Sequence, residues 1–419
     1  MMSNSRRIRM APCLALVMAL VIAGCSGADS PGGVQELVWA VPEIDKQFAP
    51  KVLEEWNRLH PNGPKVRFER IPESADDQHR LMAIESNAGL PRFDILTLDV
   101  VWTGEFARRG WLADLAEMRS SLTAASLPGP LRSATWNGRL WAAPFTSGVG
   151  LLYFRTDLVD KAPTTWDEVK SAVAEARRRT RSDIAGYVAQ GAQYEGLVVN
   201  FLEYLWGAGG DLSEGDGGRM DLTTEPAQKV IEFMGDARTG NSLFAPNIEG
   251  MKEGAALTTF AAGNAVFMRN WPYAWNEMSE DFRRKVGIAP LPTFDGKGGS
   301  GAVGGSNLAV SRFSRNTAAA KEFVEFASTN RAVQVELGKI SRPPTLGAAY
   351  ADPAVAALPD MKQVGEILPT ARARPSTPQW SAISDQIQQQ VFPAYTGRLN
   401  AKEAVDSIRS FLEQTVETG

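Results

Sequence analysis

Leu37-Val38-Trp39-Ala40-Val41, Val66-Arg67-Phe68-Glu69-Arg70-Ile71 and Phe93-Asp94-Ile95-Leu96-Thr97-Leu98 decide the fold class. Each is a short run rich in branched and aromatic residues, the signature of a strand. Between the first two, after the loop Pro42-Glu43-Ile44-Asp45, residues 49–59 place Val52, Leu53, Trp56 and Leu59 on one helical face. Pro61-Asn62-Gly63-Pro64 breaks that helix, and residues 78–86 read as another before the third strand, which ends at Asp99. Strand, helix, strand, helix, strand at this spacing predicts βαβ units, a parallel sheet and an α/β fold.

Downstream, Asn137-Gly138 between apolar flanks is a hairpin turn signal. Residues 140–145 lead into Gly150-Leu151-Leu152-Tyr153-Phe154, a long extended stretch able to cross between two lobes. Thr165 is the expected N-cap of a helix over 165–179, with Glu168 completing a capping box. Further helices are expected at 197–206, 226–239, 254–262, 317–327, 383–391 and 401–415, the fourth turning Phe323, Val324 and Phe326 inward. Residues 286–292 are extended, 296–305 form a glycine-rich loop, 307–310 return as a strand, and an irregular segment begins at Pro343-Pro344.

Upstream, Arg6, Arg7 and Arg9 precede an apolar run over 11–23, too short for the ~20 residues of a membrane span. It ends in Ile22-Ala23-Gly24-Cys25, which resembles a lipobox. Residues 1–24 are therefore expected to be a signal peptide, Cys25 a lipidation site, and residues 25–33 a flexible tether. Cys13 would leave with the signal peptide, so no free thiol remains, as suits an oxidising extracytoplasmic setting. About 395 residues then remain, enough for two domains. The formal charge of −4 becomes −7, and no basic stripe points to nucleic acid.

Absences exclude several chemistries. His60 and His79 have no metal-ligand spacing and read as surface residues. The glycine-rich loop lacks the Lys-Ser/Thr ending of a phosphate cradle, and no nucleophile-base motif is present. No cofactor, metal or catalytic residue is assigned. What remains suits a sugar, whose apolar C–H faces stack on aromatic rings while its hydroxyls bond charged groups. Asn270-Trp271-Pro272-Tyr273-Ala274-Trp275 offers aromatics at alternate positions, as loop residues or as core filler. Asp99 sits at the C-terminal end of a strand, where α/β sheets bind ligands, and could equally cap a helix. Arg374, in Arg374-Pro375-Ser376-Thr377-Pro378, is either a binding residue held in a rigid loop or a surface arginine.

Taken together, residues 93–102, Leu140-Trp141-Ala142-Ala143-Pro144, residues 150–155, residues 193–198, Asn270-Trp271-Pro272-Tyr273, Gly304-Gly305-Ser306-Asn307-Leu308 and residues 374–378 run in order along the chain. In this order they resemble the extracellular solute-binding proteins of carbohydrate ABC importers, in the maltose- and trehalose-binding group, with actinobacterial trehalose-binding lipoproteins nearest in look. The resemblance implies a two-lobe periplasmic-binding-protein fold with a hinge and a ligand cleft between lobes. Residues 34–145 plus 304–345 would form one lobe and 146–303 plus 346–419 the other, with crossings near 145–150, 291–304 and 340–350.

It further implies carbohydrate contacts from Asp99, Trp271, Tyr273, Gly305, Ser306 and Arg374, with Glu195 and Glu43 as additional acidic contacts and Asp45 competing with Glu43. Gly148 stands where relatives often carry Asp or Asn, and Ser306 where they often carry an aromatic. The implied function is capture of an α-linked disaccharide, trehalose or maltose-like, by a lipid-anchored monomer that delivers it to membrane permease subunits. A binder of another glycoside or small solute, and a secreted glycoside-active enzyme, are the alternatives.

Overall fold

The computed structural model describes residues 36–214, 219–235, 242–297, 299 and 301–415. Cys13, Cys25, the expected signal peptide and the tether lie outside the described residues.

Two sheets organise the chain. The first has five strands in the order Lys65–Ile71, Glu36–Pro42, Ile95–Asp99, Val303–Val310, Ala143–Val149. Its first three strands are parallel, as the βαβ pattern requires, and Val303–Val310 runs antiparallel to both of its neighbours. The second has four, in the order Val286–Ala289, Leu151–Arg155, Ala265–Asn270, Ala185–Val188. The chain passes from the first sheet to the second at Gly150 and returns between Ala289 and Val303. Helices Thr317–Thr329 and Arg331–Lys339 then pack on the first half. Trp380–Tyr395 and Ala401–Gln414 pack on Glu195–Gly207 and Thr224–Gly235 of the second.

Local chemistry explains the elements. Helix Ala49–Leu59 buries Val52 and Trp56, while Leu59 in its last turn is 44 % exposed, against the expectation that it faces inward. His60 stacks on Trp56 instead, ring centroids 3.8 Å apart, and is thus half-buried rather than a free surface residue. Thr165 and Glu168 form the reciprocal capping box at the start of Trp166–Thr180. Asn137 and Gly138 take positive φ of 47° and 70° and close the hairpin of Thr135–Trp136 with Arg139–Leu140.

Two strands of the second sheet, Ala185–Val188 and Ala265–Asn270, carry no clear sequence signal. The second contains Arg269 and Asn270 in an otherwise apolar run, yet all six of its residues are buried. Arg269 is tolerated there because Glu203, from helix Glu195–Gly207, meets it with two hydrogen bonds.

Candidate binding site

A cavity of about 150 Å³ opens where the ends of the first sheet face the second half. Asp99 closes strand Ile95–Asp99 and lies opposite Ser306 in the ladder, and Ser306 and Gly305 pair with Thr146 and Ser147. Gly305 has φ +119°, and a Cβ there would fall 2.2 Å from the Thr146 carbonyl oxygen, so the position requires glycine. Hydroxyl Oγ1 of Thr146 sits 2.9 Å from Ser306 Oγ. From the second half, Trp271 and Tyr273 follow strand Ala265–Asn270, and Tyr194, Glu195 and Gly196 bring in the start of helix Glu195–Gly207.

Arg374 binds these walls together. Its side chain is 1 % exposed, Nη1 donates to Glu195 Oε1 at 2.5 Å and Nη2 donates to Asp99 Oδ1 at 2.8 Å. Glu195 also accepts from Trp380 Nε1 at 3.1 Å and from the Ser384 hydroxyl. Burial pushes the Glu195 carboxyl above its ordinary value against the pull of Arg374. At the other end Arg342 lies 4.4 Å over the Tyr273 ring and pairs with Asp45 at 3.1 Å, and Tyr194 Oη donates to Glu253 Oε2 at 2.6 Å. Burial raises the Asp45 carboxyl, with Arg342 acting in the opposite sense.

Three wall residues carry buried polar atoms with no hydrogen-bond partner among the described residues: Ser147 Oγ, Tyr273 Oη and Arg374 Nε. Such atoms cost stability unless a bound molecule or water satisfies them. No group of three His, Cys, Asp or Glu among the described residues could hold a metal ion. Likewise, no described helix is long and apolar enough to cross a membrane.

This architecture can be compared with known proteins. The family model described as bacterial extracellular solute-binding protein matches residues 40–334. The chain belongs to that family. A probable ABC transporter-binding protein of Deinococcus radiodurans is 27 % identical over 400 residues, covering 91 % of this chain and 93 % of that one. The maltodextrin-binding protein MdxE of Bacillus subtilis is 19 % identical, covering 96 % and 95 %. The solved structure of maltose-bound MalE3 from T. maritima has a TM-score of 0.84 and 32 % identity, covering 90 % of this chain and 99 % of that one. The fold is the two-lobe α/β fold of periplasmic binding proteins.

Seven of the eight expected contact residues of this solute-binding protein, Asp99, Glu195, Trp271, Tyr273, Gly305, Ser306 and Arg374, line the one cavity. Glu43 does not. Residues Glu43–Asp45 form a single 3-10 turn, whose side chains splay ~120° apart, so the turn that sends Asp45 to the cavity sends Glu43 outward. Glu43 instead meets Lys46 at 2.7 Å and Arg70 at 3.3 Å on the surface. Sequence reasoning also passed over Tyr194, Glu253 and Arg342. Only Tyr194 carried a signal, as an aromatic inside the matching stretch 193–198. Gly148 lines the cavity opposite Gly304, and a Cβ there would meet only Pro272, at 3.5 Å.

Proposed function

We propose that this protein captures an α-linked disaccharide, trehalose or a maltose-like glucoside, and delivers it to the permease of an ABC importer. The observation that carries the reading is the joining of a tryptophan-tyrosine wall to the Arg374–Asp99–Glu195 bridge in one cavity. Aromatic faces suit the C–H faces of a pyranose, and charged groups with spare lone pairs suit vicinal hydroxyls.

Size and charge support a small neutral ligand. The cavity of about 150 Å³ is of the size that takes one small ring, so a disaccharide needs the lobes to part around it. Its wall carries the carboxylates of Asp45, Glu73, Asp99, Glu195 and Glu253, whereas its guanidiniums, Arg342 and Arg374, are both committed to carboxylates. A phosphorylated ligand would meet net repulsion there. The names of the relatives agree: one binds maltodextrin and one is solved with maltose.

In this reading residues 1–24 are a signal peptide and Cys25 carries the lipid that anchors the chain outside the cell membrane. A lobe of residues 34–145 plus 304–345 closes on one of 146–303 plus 346–419 around the sugar, without turnover. The ligand drives closure only by binding the closed state better; hinge closure of periplasmic binding proteins is a standard case. Gly148 and Ser306, which differ from the pattern common among relatives, favour a different glycoside as the second reading.

A thermal-shift panel tests the proposal. Trehalose or maltose should raise the melting temperature with concentration, as any ligand of the native state does, while mannitol and glucose 1-phosphate should not. A shift with the phosphate or the polyol and none with any α-glucoside would refute it.

A further inference from the structure

Glu203 and Arg269 form an ion pair in which both side chains are 1 % exposed. Arg269 Nε donates to Glu203 Oε2 at 2.8 Å, Nη2 to Oε1 at 2.6 Å, and Nη1 to Gln190 Oε1 at 3.1 Å. Removing two charges from water is costly, and an apolar pair of the same volume is often as stable or more so. Stability is therefore a poor reason for this pair, and its neighbours suggest a better one.

On one side the pair touches the two segments that join the sheets. Ala302 N donates to Glu203 Oε1 at 2.9 Å, and Gly150 N donates to the Ala302 carbonyl at 3.1 Å. Gly150 lies so close that a Cβ would fall 2.0 Å from Glu203 Oε1 and 2.7 Å from Arg269 Nη2. On the other side the Arg269 guanidinium carbon lies 3.9 Å from the centroid of the Trp271 ring. The same indole packs on Gly304, where a Cβ would come within 2.7 Å of its Cζ3. One carboxylate thus holds a connecting segment directly and an indole of the cavity wall through a flat cation.

We infer that Glu203 and Arg269 are positioning residues that fix the cavity-lining indole of Trp271 to the two segments crossing between the lobes. The inference rests on the reading of this cavity as the ligand site. Arginine suits the role because its planar guanidinium stacks on a ring while its edge forks onto a carboxylate, which lysine cannot do. A ligand stacked on Trp271 would then report directly to the strands that must flex on closure.

The test uses the full chain labelled with 5-fluorotryptophan, whose Trp271 resonance is assigned by its loss in Trp271→Phe. Arg269→Lys keeps the charge without the flat face. The double variant Glu203→Gln, Arg269→Met removes both charges at similar volume and guards against an unpaired buried carboxylate. In either, with melting temperature near that of the wild type, the Trp271 resonance should shift. The affinity for the glucoside that the wild type binds should fall about tenfold. A folded variant with the wild-type Trp271 resonance and wild-type affinity would overturn the inference. Should the wild type bind no glucoside, the disaccharide reading alone falls, and the fluorine resonance still decides this one.

Discussion

Arg374 reaches across the cleft to Asp99, Nη2 donating to Oδ1 at 2.8 Å over 275 residues of sequence, while its Nη1 holds Glu195. One guanidinium thereby orients two carboxylates of the cavity wall and holds them close together. Arg374→Met should strand both of them: removal of one partner from a buried ion pair costs on the order of 3–5 kcal/mol. Chemical denaturation should show that loss, and ligand affinity in the folded fraction should fall at least a hundredfold. Arg374→Lys, which cannot bridge both carboxylates with one planar fork, should be intermediate.

Gly305→Ala should destabilise strongly and displace the Thr146–Ser147 backbone of the cavity wall. Its φ of +119° is foreign to alanine, and the new methyl would stand 2.2 Å from the Thr146 oxygen. A cost of about 2 kcal/mol or more is expected from strain of this kind, read as a lower denaturation midpoint.

Gly148→Asn should behave in the opposite way. The added Cβ meets only ring carbons of Pro272, at 3.5 and 3.8 Å, so the melting temperature should change little. A new amide on the cavity wall should alter which α-glucoside binds best, measured by competition titration across a panel.

How much of this was legible beforehand varied with the physics involved. Strands at 37–41, 66–71 and 93–98 and the Thr165–Glu168 cap were readable because periodicity and capping are local. Trp271, Asp99 and Arg374 were placed by residue type and loop context. Strand Ala265–Asn270 was missed because Arg269 breaks its apolar pattern, and the Glu203 that neutralises it is 66 residues away. Glu43 stands ahead of Asp45 only through the resemblance, and a 3-10 turn gives no periodicity that would have told the inward side. Arg342 was invisible for the same reason as Glu203: its partner Asp45 lies nearly three hundred residues away in sequence.

Acid should weaken the seam between the halves. Glu105 lies against His79 at 2.8 Å and accepts from Ser381 at 2.6 Å. Burial opposes its charge, but the bond to His79, with Ser381 and Arg109, leaves its carboxyl below the usual value. A lowered folded-state pKa gives stability that is present above the unfolded value of about 4.3 and is lost as pH falls through the folded one. Glu105→Gln should therefore melt below the wild type at pH 7, and the gap should close toward pH 3.

The central claim is that the cavity between the lobes takes an α-linked disaccharide, and isothermal titration tests it most directly. Residues 26–419 would be titrated with trehalose and with maltose, beside Asp99→Ala and Trp271→Ala. Saturable heat at one site with at least one of the two sugars, lost or weakened at least tenfold in both variants, is the predicted result. A folded wild-type chain that gives no heat with either sugar, or variants that bind as tightly as wild type, would contradict it.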